Sequence, residues 1–137
     1  MTFSDSRLPF EFSEAQALGR SLRQVKQHLK PGRVWYYGQE TYFDLLFDIE
    51  DQSIHWFQFT LRGRSLTWSR RGNLIRTGYT NELELTPALE YPASKTIQDQ
   101  QHADPDFVEF VKRILSTRPS EALFCQMLSI LSEATTP

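Results

Sequence analysis

The sequence predicts an α+β fold: an N-terminal helix, a five-stranded antiparallel meander sheet and two C-terminal helices, packed as two layers. Three observations predict it. Apolar residues recur at helical spacing near both ends of the chain, and residues 33–79 alternate in polarity with a period of two. Turn-forming segments a few residues long punctuate that alternating region, short enough for hairpins rather than crossovers.

The first helix is expected from Ser13, where Gln16 three residues on completes a capping-box pattern. Leu18, Leu22, Val25 and Leu29 then follow on one stripe, with Arg20, Arg23, Lys26 and Lys30 to one side. Pro31-Gly32 ends the run, because proline cannot continue a helix and glycine suits its exit. The five strands are "RVWYY", "TYFDLLFDIE", "SIHWFQFTL", "SLTWS" and "NLIRTGY", separated by "GQE", "EDQ", "RGR" and "RRG". Alternation puts Phe43, Leu45, Phe47 and Ile49 on one face, and Phe57, Phe59 and Leu61 on the matching face of the next strand. The face of Trp68 depends on the register across the "RGR" turn.

Residues 80–103 are polar, contain two prolines and read mostly as loop. Asp104-Pro105 is a helix start, a capping acid followed by proline at the first helical position. Phe107, Phe110, Val111, Ile114 and Leu115 form its apolar side. Pro119 opens a last helix whose apolar residues, Leu123 to Leu131, spread over about 160°, wider than the roughly 100° stripe a single surface requires. That surplus makes Phe124, Leu128 and Leu131 candidate interface residues for a protein partner or a second copy of the chain.

At 137 residues without an internal repeat, the chain is expected to be a single domain, residues 1–137. No signal-like stretch opens it and no run of about eighteen apolar residues occurs, so a cytoplasmic protein without membrane partners is expected. One cysteine, Cys125, excludes an internal disulfide framework. Glu121, one turn before it, disfavours a thiolate, and an unreactive thiol is expected. Histidines 28, 55 and 102 lack zinc-like spacing, and no phosphate loop, nucleophile elbow or Cys-x-x-Cys is present. Asp44 and Asp48 share a strand face but stand about 13 Å apart. A glycosidase pair requires roughly 5–9.5 Å, and solvent-facing acids are the better account. No catalytic, cofactor-binding or metal-ligating residue is therefore assigned.

The net charge of −2 hides segregation. Residues 1–33 hold six bases and three acids, residues 34–51 five acids and no base, and residues 52–81 five arginines and no acid. The arginines fall in "FQFTLRGRSLTWSRRGNLIR", residues 57–76, so Arg62, Arg64, Arg70, Arg71, Arg76 and Trp56 form a candidate polyanion surface for single-stranded nucleic acid. The competing account is an ordinary sheet surface, with the arginines at turns pairing with Asp44, Asp48, Glu50 and Asp51 of the adjacent hairpin. An isoelectric point of 5.9 favours the latter. The expected role is a non-catalytic protein-interaction or regulatory module, able to form a homodimer. Nucleic-acid binding through residues 57–76 is the alternative, and a small-molecule pocket or dispersed active site is the second.

The run from Trp35 to Glu82 resembles a pattern in small uncharacterised bacterial proteins: an aromatic-glycine start, a D-L strand, a strand ending F-Q and a tryptophan before a glycine turn. Asp44-Leu45, Phe57-Gln58 and Trp68 are the matching positions. The resemblance implies a bacterial single-domain protein and carries no activity.

Overall fold

The computed structural model describes residues 11–26, 30–80 and 97–134. A 3-10 turn, Phe12–Glu14, runs into helix α1, Ala15–Ser21, and seven strands follow: β1 Arg23–Val25, β2 Arg33–Tyr37, β3 Asp44–Glu50, β4 Ser53–Leu61, β5 Arg64–Ser69, β6 Arg76–Thr80 and β7 Ile97–Asp99. Helices α2, Pro105–Ser116, and α3, Ala122–Glu133, complete the chain. The strands lie side by side in sequence order, all neighbours antiparallel. The five expected strands are the five central ones, and a three-residue strand extends the sheet at each edge.

The first helix is shorter than its periodicity predicts. Ser13 lies inside the 3-10 turn, and neither that turn nor α1 has a side-chain N-cap, so the expected capping box does not form. Leu22 is already extended, and residues 23–25 pair with β2 instead of continuing the helix. A tertiary contact decides this. Arg118 donates through Nη1 to the carbonyls of Gly19 and Leu22 at 2.8 and 2.9 Å, which satisfies acceptors at the helix end. Gly19 lets α1 approach that closely, since a Cβ there would overlap the Thr117 hydroxyl and stand 2.7 Å from the Ile114 carbonyl. His28 and Leu29 lie outside the described residues, as does most of the expected loop, residues 81–96.

The turns follow the sequence closely. Asp51-Gln52 and Arg62-Gly63 are two-residue connections with positive φ at both positions, the left-handed turn that matches strand twist. Opposite residues of antiparallel strands share a face, so Leu45, Phe47, Phe57, Phe59, Leu66 and Trp68 all point inward. The register thus answers the question about Trp68: it stacks on Phe57 at 5.6 Å, and its Nε1 donates to Asn73 Oδ1. Helices α2 and α3 cover this face, with Phe107 against Phe59 and Phe124 against Tyr36.

Asp104 caps α2 as predicted, accepting from the amides of Asp106 and Phe107. The other face of the sheet departs from expectation. Asp44 is not solvent-facing; it is fully buried and accepts a hydrogen bond from the Thr60 hydroxyl, and Leu46 beside it is buried as well. Asp48 is partly buried and paired with Arg33 at 2.6 Å.

Candidate functional site

The arginines of residues 57–76 do not converge on one surface. Arg62 makes a two-pronged contact with Glu40, at 3.0 and 2.7 Å, and reaches Glu14 at 3.1 Å. The Arg62 hydrogen bonds hold the Glu40 carboxyl below its ordinary range against the opposing effect of burial, and Glu40 in turn raises the guanidinium. Arg64 turns inward, 2.6 Å from Asp104, with its guanidinium over the Tyr79 and Phe107 rings. Arg70 donates to the Ile54 carbonyl. Arg71 and Arg76 are exposed, while Trp56 lies on the outer face beneath Arg33, whose guanidinium is 5.3 Å from its ring centroid. The acids that neutralise Arg62 and Arg64 are Glu14, Glu40 and Asp104, not the hairpin acids expected from sequence proximity. Of those, Asp48 pairs with Arg33 and Glu50 with His55.

A different basic site is assembled at the β1 edge of the sheet. Helix α1 supplies Arg20, strand β1 supplies Arg23, and Lys26 follows it. Arg118 enters from the turn between α2 and α3. These four cations line a cleft of about 410 Å³ that contains one acid, Glu121. Leu22 and Tyr36, both buried, lie among its walls.

Tyr36, Glu121 and Arg118 form a chain of hydrogen bonds along the cleft. The tyrosine hydroxyl donates to Glu121 Oε1 at 3.0 Å, and Arg118 Nη2 donates to Glu121 Oε2 at 3.2 Å. Burial, then the Glu121 bond and charge, push the Tyr36 hydroxyl up to about 12, so it remains a proton donor near neutrality. Glu121 is thereby engaged on both oxygens. Arg20, Arg23 and Lys26 take part in no described hydrogen bond or ion pair, and all three are exposed.

What such an arrangement does chemically is bind negative charge. Guanidinium groups present forked donors suited to carboxylates and phosphates, and lysine adds a mobile point charge. Sequence reading misses this site because it places Arg20, Arg23 and Lys26 to one side of the apolar stripe of one long helix. The local excess of bases in residues 1–33 was the available signal. Nothing local marks Arg118 or Tyr36, whose roles come from partners 96–99 and 85 positions away.

The candidate interface residues have partners inside the chain. Phe124 is fully buried, Leu131 is 4% exposed, and Leu128 packs against the same core. Much of the apolar arc of α3 thus packs on its own sheet and α2, while Leu123, Leu128 and Ile130 stay partly exposed. Cys125 is exposed, its thiol 3.4 Å from the Pro119 carbonyl. Among the described residues no group of His, Cys, Asp or Glu is arranged to hold a metal ion, and no helix is long and apolar enough to cross a membrane. A second cleft, about 210 Å³, has Lys30, Asp48, Glu50 and His55 in its lining; Asp48 is paired with Arg33, and Glu50 Oε1 lies 3.3 Å from His55 Nε2.

Fold and site together define a class: a small α+β module with a meander sheet, helices on one face and a basic cleft at the β1 edge. Compared with known proteins, the chain matches no family model, no curated protein and no solved structure.

Proposed function

We propose that this chain is a non-catalytic protein-interaction module that receives an acidic segment of a partner protein in the cleft at the β1 edge. One observation carries the reading. Arg62 and Arg64, among the most prominent bases in the sequence, are matched with carboxylates, whereas Arg20, Arg23 and Lys26, around one concavity, have no carboxylate partner among the described residues. Unmatched like charges repel one another, and an anionic partner relieves that repulsion while gaining electrostatic steering.

Fluorescence anisotropy of a labelled glutamate-rich peptide, at low and at moderate salt, tests this. Binding is expected at low salt and should weaken as salt screens exposed charges over a Debye length of about 10 Å. The double variant R20E/K26E is expected to abolish it. Absence of binding by the unaltered protein at low salt overturns the reading. A labelled single-stranded oligonucleotide measures the alternative. With Arg62 and Arg64 engaged, Arg70, Arg71 and Arg76 supply three exposed cations from residues 57–76. A log–log salt slope of about −2.1 is then expected, from about −0.7 per phosphate.

A further inference from the structure

We infer that the partner segment binds in extended form, adding a strand to the open edge of β1; this rests on the acidic-segment reading proposed above. Among the described residues strand β1 has one neighbour, β2, to which Arg23, Gln24 and Val25 pair opposite Tyr37, Tyr36 and Trp35. Alternate backbone amides and carbonyls of an edge strand face away from its neighbour and form a template for a further strand. Here that edge is accessible, since both Arg23 and Gln24 are exposed.

The cleft reaches this edge and also takes in Tyr36, Arg118 and Glu121 on the helix side. Arg23 points to the outer face, opposite Tyr37, whereas Gln24 points inward with Tyr36, yet both line the same space. A space bounded by consecutive residues of one strand runs along the strand's flank, where an added backbone would lie. Three paired residues extend about 10 Å, so roughly three partner residues are in register. Charge selects the occupant. An added strand meets Arg23 on the outer side, and Arg20 and Lys26 line the same space, while Arg118 on the helix side is already engaged by Glu121.

Charged residues on an edge strand also discourage association between copies. The two accounts part on what an acidic strand does, because a cationic edge repels a second cationic edge and attracts an acidic one. The β7 edge differs. Its paired segment ends on Asp99, an acid, and its neighbour Tyr79 packs under Arg64.

The test uses the full chain and two labelled peptides of about ten residues alternating glutamate with threonine, a length that exceeds the paired edge. They are identical except that one carries N-methyl groups on alternate amides. Methylation keeps the charge and removes the donors needed for pairing. The expected result is low-salt binding of the plain peptide, at least tenfold weaker binding of the methylated one, and slowed amide exchange at residues 23–25. R23E, an exposed substitution with little effect on folding, is expected to remove binding of both. Equal binding of the two peptides overturns strand addition and leaves the acidic-segment reading standing. Binding of neither overturns both. An oligonucleotide that displaces the plain peptide and binds more tightly overturns the protein-partner assignment in favour of nucleic acid.

Discussion

Residues 57–76 hold five arginines in a short stretch, yet the strongest candidate site uses Arg20, Arg23 and Lys26 from residues 20–26 together with Arg118 from far along the chain. The two regions differ in what the fold brings to them. At the β4–β5 turn, Glu14 and Glu40 arrive from the 3-10 turn and the β2–β3 connection, and Asp104 arrives from the start of α2. At the β1 edge one carboxylate among the described residues, Glu121, arrives, and it is divided between Arg118 and the Tyr36 hydroxyl. Charge density along a sequence is therefore a poor guide to charge density on a surface. What counts is the number of opposite charges that distant segments deliver.

The comparison breaks most sharply at Arg118, the one cation of the cleft with a structural role. Arg118→Ala removes two charge-assisted bonds to carbonyls and the guanidinium over the Phe124 ring. A loss of about 3 kcal/mol of stability is expected, measured by urea unfolding. Lysine should rescue little, because a single ammonium does not reproduce the fork. Gly19→Ala, which forces α1 away from Thr117 and Ile114, should cost about 1–3 kcal/mol by the same measurement.

Arg62→Ala comes next. Its pairs are partly exposed but arranged as a network of two carboxylates, and a loss of about 1 kcal/mol is expected. The pH dependence sharpens this. Because Arg62 depresses the Glu40 carboxyl, its contribution is complete above the ordinary carboxylate value and is lost as pH falls through the lower folded value. Acid unfolding of the Arg62→Ala variant should show a shallower decline over that window.

Tyr36 gives the opposite sign. Its hydroxyl is raised from 10.0 to about 12, so between those values the folded chain keeps a proton that the unfolded chain releases. Its contribution is complete below pH 10.0 and disappears as pH rises towards about 12. Tyr36→Phe should flatten that alkaline decline in a thermal-shift series. The smallest expected effect on stability belongs to the free cations. Arg20→Glu, Arg23→Glu and Lys26→Glu should each change unfolding free energy by no more than about 0.5 kcal/mol. A larger loss at any of them would show that its charge is structurally engaged, and the contrast between the two basic regions would fail.

Much of the architecture follows from local pattern alone. Alternation from Arg33 to Tyr79, two-residue turns at Asp51-Gln52 and Arg62-Gly63, and the Asp104-Pro105 start of α2 each rest on the backbone preferences of a few neighbouring residues. Those preferences act wherever the chain goes, and the strand order follows because short turns permit no crossover. The end of α1 and the location of the free charge were different matters. Leu18, Leu22 and Val25 satisfy a helical stripe, but the pairing of residues 23–25 with β2 and the hold of Arg118 on two carbonyls outweigh it. Burial of Asp44 and the internal use of Phe124 likewise depend on what lies opposite in space. Helix propensity amounts to a few tenths of a kcal/mol per residue, whereas each of these long-range contacts is worth about 1 kcal/mol or more, so tertiary structure decides where the two conflict.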